Sequence, residues 1–164
     1  MEGEDRIGPL ITSYFSSLFT SDHPTVFAPV LNGVKQRVTA DMNDELLKPF
    51  VEDEVKQALK QMDANTAPGL DGLSPLFYKQ FWGKIGKEIS EAVLAILNSG
   101  TIPTNLNHTF ISLIPKIQIP RKVSDFRPIS LCNVLYKLIA KVLANRLKLI
   151  LPDLISETQS AFPI

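Results

Sequence analysis

The chain has 164 residues, with 17 basic against 17 acidic side chains, 45% hydrophobic residues and one cysteine. That length suits one domain or a piece of a larger protein, with enough apolar material for a core and no bias toward disorder. A lone Cys132 excludes a disulfide framework and a clustered-thiolate zinc site, and His23 and His108 lie too far apart for a histidine-based metal site.

From Glu4 to Thr20, Ile7, Leu10, Ile11, Tyr14, Phe15, Leu18 and Phe19 recur at helical spacing, and Pro9 is expected to set where the regular helix begins. Residues 21–38 carry Pro24, Pro29 and Gly33 without periodicity and read as a connecting loop. Asp41 to Lys48 forms a short helix before Pro49. Val51 to Met62 forms a better one, with Val51, Val55, Ala58, Leu59 and Met62 on one face and three acids in its first turn. Ala67 to Gly72 is a turn, having two glycines and a proline in six residues. Ser74 and Pro75 then cap and open the longest helix, whose apolar face is Phe77, Phe81, Ile85, Ile89, Val93 and Ile96.

The β-branched run Thr109 to Ile114 and the run Phe126 to Cys132 predict two strands joined by a hairpin loop. Asn133 to Leu151 returns to helix, with Leu135, Leu138, Ile139, Val142, Leu143 and Leu149 on its apolar face. The fold class is therefore α+β, mostly helical, with one short hairpin. No apolar run reaches the roughly 20 residues of a membrane span and the acidic start lacks a signal core, so a soluble intracellular protein without a membrane partner is expected. Nucleus and cytoplasm remain open.

Neutrality hides two unlike parts. Residues 1–100 hold 9 Lys/Arg and 14 Asp/Glu, and residues 101–164 hold 8 Lys/Arg and 3 Asp/Glu. Such asymmetry points to a polyanion or an acidic partner facing the basic half, or to chance variation on a solvated surface. Lys116, Arg121, Lys122 and Arg127 lie on and beside the hairpin loop, where an arginine fork and mobile lysines can converge on phosphate. On composition alone, a solvated loop that keeps a sheet edge soluble is the simpler account. Lys137, Lys141 and Lys148 fall within roughly 40 degrees of one another on the last helix, a stripe able to track a nucleic-acid backbone or to form its wet side. Arg146 lies opposite, within the apolar face, and if buried requires a carboxylate partner. Cys132 reads as a small buried hydrophobe, and Phe77, Tyr78, Phe81 and Trp82 as core. No phosphate loop, HExxH or GxSxG occurs, and no catalytic residue is assigned.

These segments, in order, resemble the reverse transcriptase of plant LINE-type (non-LTR) retrotransposons. The motifs are Ala67-Pro68-Gly69-Leu70-Asp71-Gly72, Phe77-Tyr78-Lys79 with Phe81-Trp82, and Leu113-Ile114-Pro115-Lys116. They continue with the run from Ser124-Asp125-Phe126-Arg127-Pro128 to Asn133, then Lys141 to Leu147, and close with Gln159-Ser160-Ala161-Phe162. The likeness covers roughly residues 45 to 162. It implies the fingers part of a right-hand RNA-directed DNA polymerase over 45–164, preceded by a helix and linker over 1–44. Lys116 and Arg127 would then contact the triphosphate of an incoming dNTP. Pro68, Gly69, Asp71, Gly72, Arg121, Lys122, Lys137, Lys141 and Lys148 would meet the RNA template and DNA primer.

Two departures stand out. Leu70 replaces a second proline of the turn, which loosens it. Pro163-Ile164 stands where the family continues into the palm, and no Asp-Asp dipeptide occurs. The Mg²⁺ ions of the complete family enzyme would have no seat, so the expectation is a fragment without cofactor that does not polymerise by itself. The missing palm, or another protein, would cover the apolar face of the last helix. The alternative reading is a helical protein-interaction remnant or a relic without function.

Overall fold

The computed structural model describes residues 4–23 and 25–155. These form six α-helical segments and one two-stranded antiparallel sheet, an α+β arrangement dominated by helix as the periodicity predicts. In chain order they are α1 (Glu4–Phe19), α2 (Ala28–Leu31), α3 (Ala40–Leu47), α4 (Glu52–Gln61), α5 (Pro75–Ser99), β1 (Phe110–Pro115), β2 (Phe126–Leu131) and α6 (Val134–Leu154). They fall into two compact units: Met1–Gln36 with Leu113–Ile129, and Arg37–Ser112 with Ser130–Ile164.

The second unit holds the main core. Val55, Ala58 and Leu59 of α4 meet Tyr78 and Val93 of α5 and Val134, Leu138, Ile139 and Val142 of α6. Full burial of one such aliphatic side chain contributes about 1.5–3 kcal/mol, so this three-helix cluster stabilises the unit strongly. Around it the ends of each helix are set locally. Thr39 Oγ1 accepts from the Met42 N–H at 3.2 Å and caps α3. Pro75 is the first residue of α5, and Gly100, at φ 69°, closes that helix in the left-handed conformation glycine tolerates. Ser74 has the extended backbone of a cap residue, but its hydroxyl makes no capping bond.

The expected face of α5 packs on the core, with Val93 buried and Phe77, Ile85, Ile89 and Ile96 half-buried against it, but other positions are buried more deeply. Pro75, Tyr78, Gly86, Ser90 and Val93 are buried, whereas Phe81 is exposed. Large apolar residues mark where a helix is oily, but close helix packing favours small ones. At Gly86 an added Cβ would lie 2.7 Å from the Trp82 indole, so the glycine makes room for that ring. Likewise α6 buries Val134 and Ile150, while Leu143 and Leu149 of the expected face stay exposed. α6 also runs three residues past Leu151, through Pro152.

In the first unit, α1 begins at Glu4 rather than at Pro9. Pro9 is its sixth residue, where the missing N–H costs one bond within the helix without ending it. Phe15 is buried and stacks on Phe19 at 5.9 Å between ring centroids. The expected loop of residues 21–38 contains α2, made by the Leu31 and Asn32 N–H groups donating to the carbonyls of Phe27 and Ala28 at 3.0 and 2.9 Å. Pro29, second in α2, lies where no intrahelical N–H bond is needed.

Candidate nucleic-acid interface

The hairpin of β1 and β2 brings four of the predicted site residues together. Lys116 directly follows β1 and Arg127 is the second residue of β2, with Arg121 and Lys122 in the connecting loop. The Lys116 N–H donates to the Asp125 carbonyl at 2.7 Å, extending the strand pairing into the loop. Its ammonium donates to the Ser124 carbonyl at 2.9 Å, which leaves two N–H donors on an exposed group. Arg127 is exposed, and its side chain has no hydrogen-bond partner among the described residues.

Asp125 is the one acid in this region, and its carboxylate turns inward. Its Oδ2 accepts from the Arg121 N–H at 3.0 Å and from the Lys122 N–H at 3.2 Å. The Arg121 N–H above all, with the Lys122 N–H and the Lys122 and Lys116 charges, holds this carboxyl below its ordinary range against the opposing effect of burial. The Asp125 N–H returns to the Lys122 carbonyl at 3.0 Å, closing one 3₁₀ turn over Val123–Asp125. An anionic side chain thus shapes the loop while the cations around it face solvent.

A second group of predicted residues meets in the other unit. The Gly72 N–H donates to the Gly69 carbonyl at 3.2 Å, and the Leu73 N–H to Asp71 Oδ1 at 3.1 Å. Gly72 adopts φ 70°, and Pro68 and Asp71 are exposed. The turn lies against the start of α6: a Cβ on Gly69 would come 2.2 Å from Asn133 Oδ1 and 2.5 Å from the Asn133 backbone nitrogen. The Lys137 ammonium donates to the Ala67 carbonyl at 2.6 Å. The first lysine of the stripe is therefore a clip between helix and turn. Lys141 is half-buried, and Lys148, eleven residues and about 16 Å along the axis from Lys137, is exposed.

Arg146 has the partner its position demands. Nε and Nη2 donate to Glu54 Oε1 and Oε2 at 2.6 and 2.8 Å. Nη1 reaches the carbonyls of Leu46, at 3.0 Å, and Lys48, and Nη2 that of Pro49, at 3.0 Å. The guanidinium also lies 3.6 Å from the Phe50 ring centroid. Every donor is engaged, so Arg146 organises the link between α3 and α4 and is not free for a phosphate. Lys79 has a similar role that its sequence context did not reveal: its ammonium donates to the carbonyls of Lys60 and Met62 at the end of α4. A lysine 17 to 19 residues beyond a helix end gives no local signal of this.

Among the described residues no three His, Cys, Asp or Glu side chains cluster to hold a metal ion, and no helix is long and apolar enough to cross a membrane. Cys132 is half-buried.

The chain is 31% identical, over 162 residues, to the "Transposon TX1 uncharacterized 149 kDa protein" of Xenopus laevis. This likeness supports a LINE-like transposon origin. The match covers 98% of the present chain and 12% of that protein, so the chain spans about an eighth of the relative's length. No family model matches the sequence.

Proposed function

We propose that this transposon-derived chain is the fingers portion of a non-LTR, plant LINE-type RNA-directed DNA polymerase, which binds an RNA template, a DNA primer and a dNTP. The observation that carries the reading is the hairpin. Lys116, Arg121, Lys122 and Arg127 lie within twelve residues, and the only acid among them, Asp125, spends its carboxylate on backbone N–H groups. Four cations around one anion that is engaged by backbone N–H groups keep a net positive charge matched to phosphate. Lys116 and the Arg127 fork would clasp the triphosphate, while Arg121 and Lys122 would follow the template backbone. Pro68 to Gly72, Lys141 and Lys148 would lie along the template and primer, with Lys137 mainly supporting that turn. Since the sequence has no Asp-Asp dipeptide, these residues would bind without polymerising by themselves.

The test is fluorescence anisotropy with labelled single-stranded RNA, and with a labelled dNTP. RNA affinity is expected to fall at least tenfold between about 50 and 200 mM salt, and K116A and R127A to weaken dNTP binding most. Salt-independent RNA affinity, or none, would overturn the nucleic-acid reading.

A second reading, a protein-interaction module, draws on α6. Leu143 and Leu147, one turn apart on α6, are each 44% exposed, an apolar strip suited to another protein or to the palm. Light scattering of the purified chain distinguishes it: this reading expects concentration-dependent association that RNA does not relieve.

A further inference from the structure

The hairpin loop also exposes two isoleucines that phosphate binding does not use. Ile117 is 51% and Ile119 71% exposed, though both stand in a loop closed by prolines at 115 and 120. Proline fixes φ at each end of this short stretch. The base of the loop is held by the Lys116 N–H on the Asp125 carbonyl, by the Lys116 ammonium on the Ser124 carbonyl, and by the two bonds into the Asp125 carboxylate. Two exposed aliphatic side chains thus belong to a braced loop, with Lys116 just before them in the chain and Arg121 and Lys122 just after. Water-exposed isoleucines flanked by cations suit a ligand that is anionic at its edge and apolar inside. A stacked nucleic acid has this makeup, with phosphates outside and base faces within.

We propose that Ile119, assisted by Ile117, is an apolar wedge that enters a base step at the junction of single- and double-stranded nucleic acid, while Arg121 and Lys122 hold the flanking phosphates. Aliphatic side chains inserted between base steps unstack and kink a duplex when nearby cations hold its backbone. The hairpin would then part the paired template ahead of the site and not merely bind it. The inference rests on the nucleic-acid reading and gives it a strand-opening role. An anionic membrane surface presents similar chemistry; the likeness to a transposon protein favours nucleic acid.

The experiment uses the whole chain and a duplex with a single-stranded overhang carrying 2-aminopurine in the first pair of the junction. Binding to the overhang strand alone is followed by anisotropy. The wild-type chain should raise the 2-aminopurine fluorescence at saturation. Ile119→Ser, and the pair Ile117→Ser with Ile119→Ser, should abolish most of that rise while single-strand affinity changes by less than about threefold. Arg121→Glu with Lys122→Glu should weaken both signals by about tenfold or more. Circular dichroism checks that each variant is folded, and the exposure of all four side chains makes them safe to change. Single-strand binding without a fluorescence rise, or a rise that survives the isoleucine changes, overturns the wedge and leaves the nucleic-acid reading intact. Failure to bind the single strand overturns that reading as well. Ile119-dependent binding to vesicles of phosphatidylserine and phosphatidylcholine, with no junction signal, assigns the loop to a membrane surface and overturns the proposal.

Discussion

Arg146 and Glu54 lie 92 residues apart and meet as a two-point ion pair, with N–O distances of 2.6 and 2.8 Å. The arginine side chain is 11% exposed and the glutamate side chain 28%. Removing one partner of such a pair leaves a poorly hydrated charge, and here also unbinds three backbone carbonyls from the α3–α4 link. Arg146→Ala is therefore expected to cost about 3 kcal/mol in urea unfolding. Arg146→Lys keeps the charge but cannot reproduce the planar fork, and should recover less than half of the loss.

The same pair gives the protein an acid-sensitive contribution. The Arg146 guanidinium bonded to Glu54, together with the Val51 N–H and the Arg146 charge, holds the Glu54 carboxyl below its ordinary value of 4.5 despite a raising effect of burial. A carboxyl lowered in the folded state stabilises it fully above the unfolded value and loses that contribution as pH falls through the folded one. Wild type and Glu54→Gln should thus differ most in unfolding free energy near neutrality. The gap should narrow below about pH 4.5, and a gap constant from neutrality to pH 3 would contradict this.

The need for that ion pair was visible in the sequence, but the identity of the partner was not. Arg146 falls inside an apolar face, and one helical wheel shows it. Glu54 is one of three successive acids in a first turn, and only tertiary packing selects it. Once selected, Glu54 is steadied locally as well, since it sits three residues after Val51 and accepts its N–H. The hairpin was legible because β-branched runs, prolines and loop cations all lie in one short stretch. The core-facing side of α5 was legible at Val93, Ile85 and Ile89, but not its small buried residues, because hydrophobic periodicity rewards large side chains and passes over Gly86 and Ser90. Lys137 shows the same limit: a wheel gives the angle of a lysine but not the carbonyl of Ala67 that receives it.

The two glycines of the turn should fail for different reasons. Gly69 has no room, since an added Cβ would meet the Asn133 backbone at 2.5–2.6 Å. Gly72 has open space but a φ of 70°. Gly69→Ala must push α6 from the turn and is expected to cost about 3 kcal/mol, the upper range for overpacking. Gly72→Ala should cost about 1 kcal/mol from backbone strain alone, and Gly72→Asn less, since asparagine tolerates this region. Denaturant titration of the three variants checks the order.

Ser90 points to a stabilising change. Its Oγ is buried with no hydrogen-bond partner among the described residues, in a helix packed against the core. An unmade bond of this kind costs free energy that an alanine of nearly the same size does not incur. Ser90→Ala should raise stability by about 1 kcal/mol, read as a higher denaturation midpoint with unchanged slope. A lower midpoint would mean that the hydroxyl is satisfied in solution.

Lysines that clip the fold and cations that face phosphate should separate when stability and binding are measured on the same variants. Lys137 donates to the Ala67 carbonyl, so Lys137→Gln is expected to lower the unfolding free energy by about 1 kcal/mol. The Arg127 side chain has no partner among the described residues, so Arg127→Gln should leave stability within about 0.5 kcal/mol of wild type. Binding should respond in the opposite order. If Arg127 meets a phosphate of single-stranded RNA, its removal lowers the slope of log affinity against log salt by about 0.7. Loss of Lys137, which is half-buried and tied to the turn, should change that slope by much less. The reverse pattern would assign the contact surface to α6 and the supporting role to the hairpin.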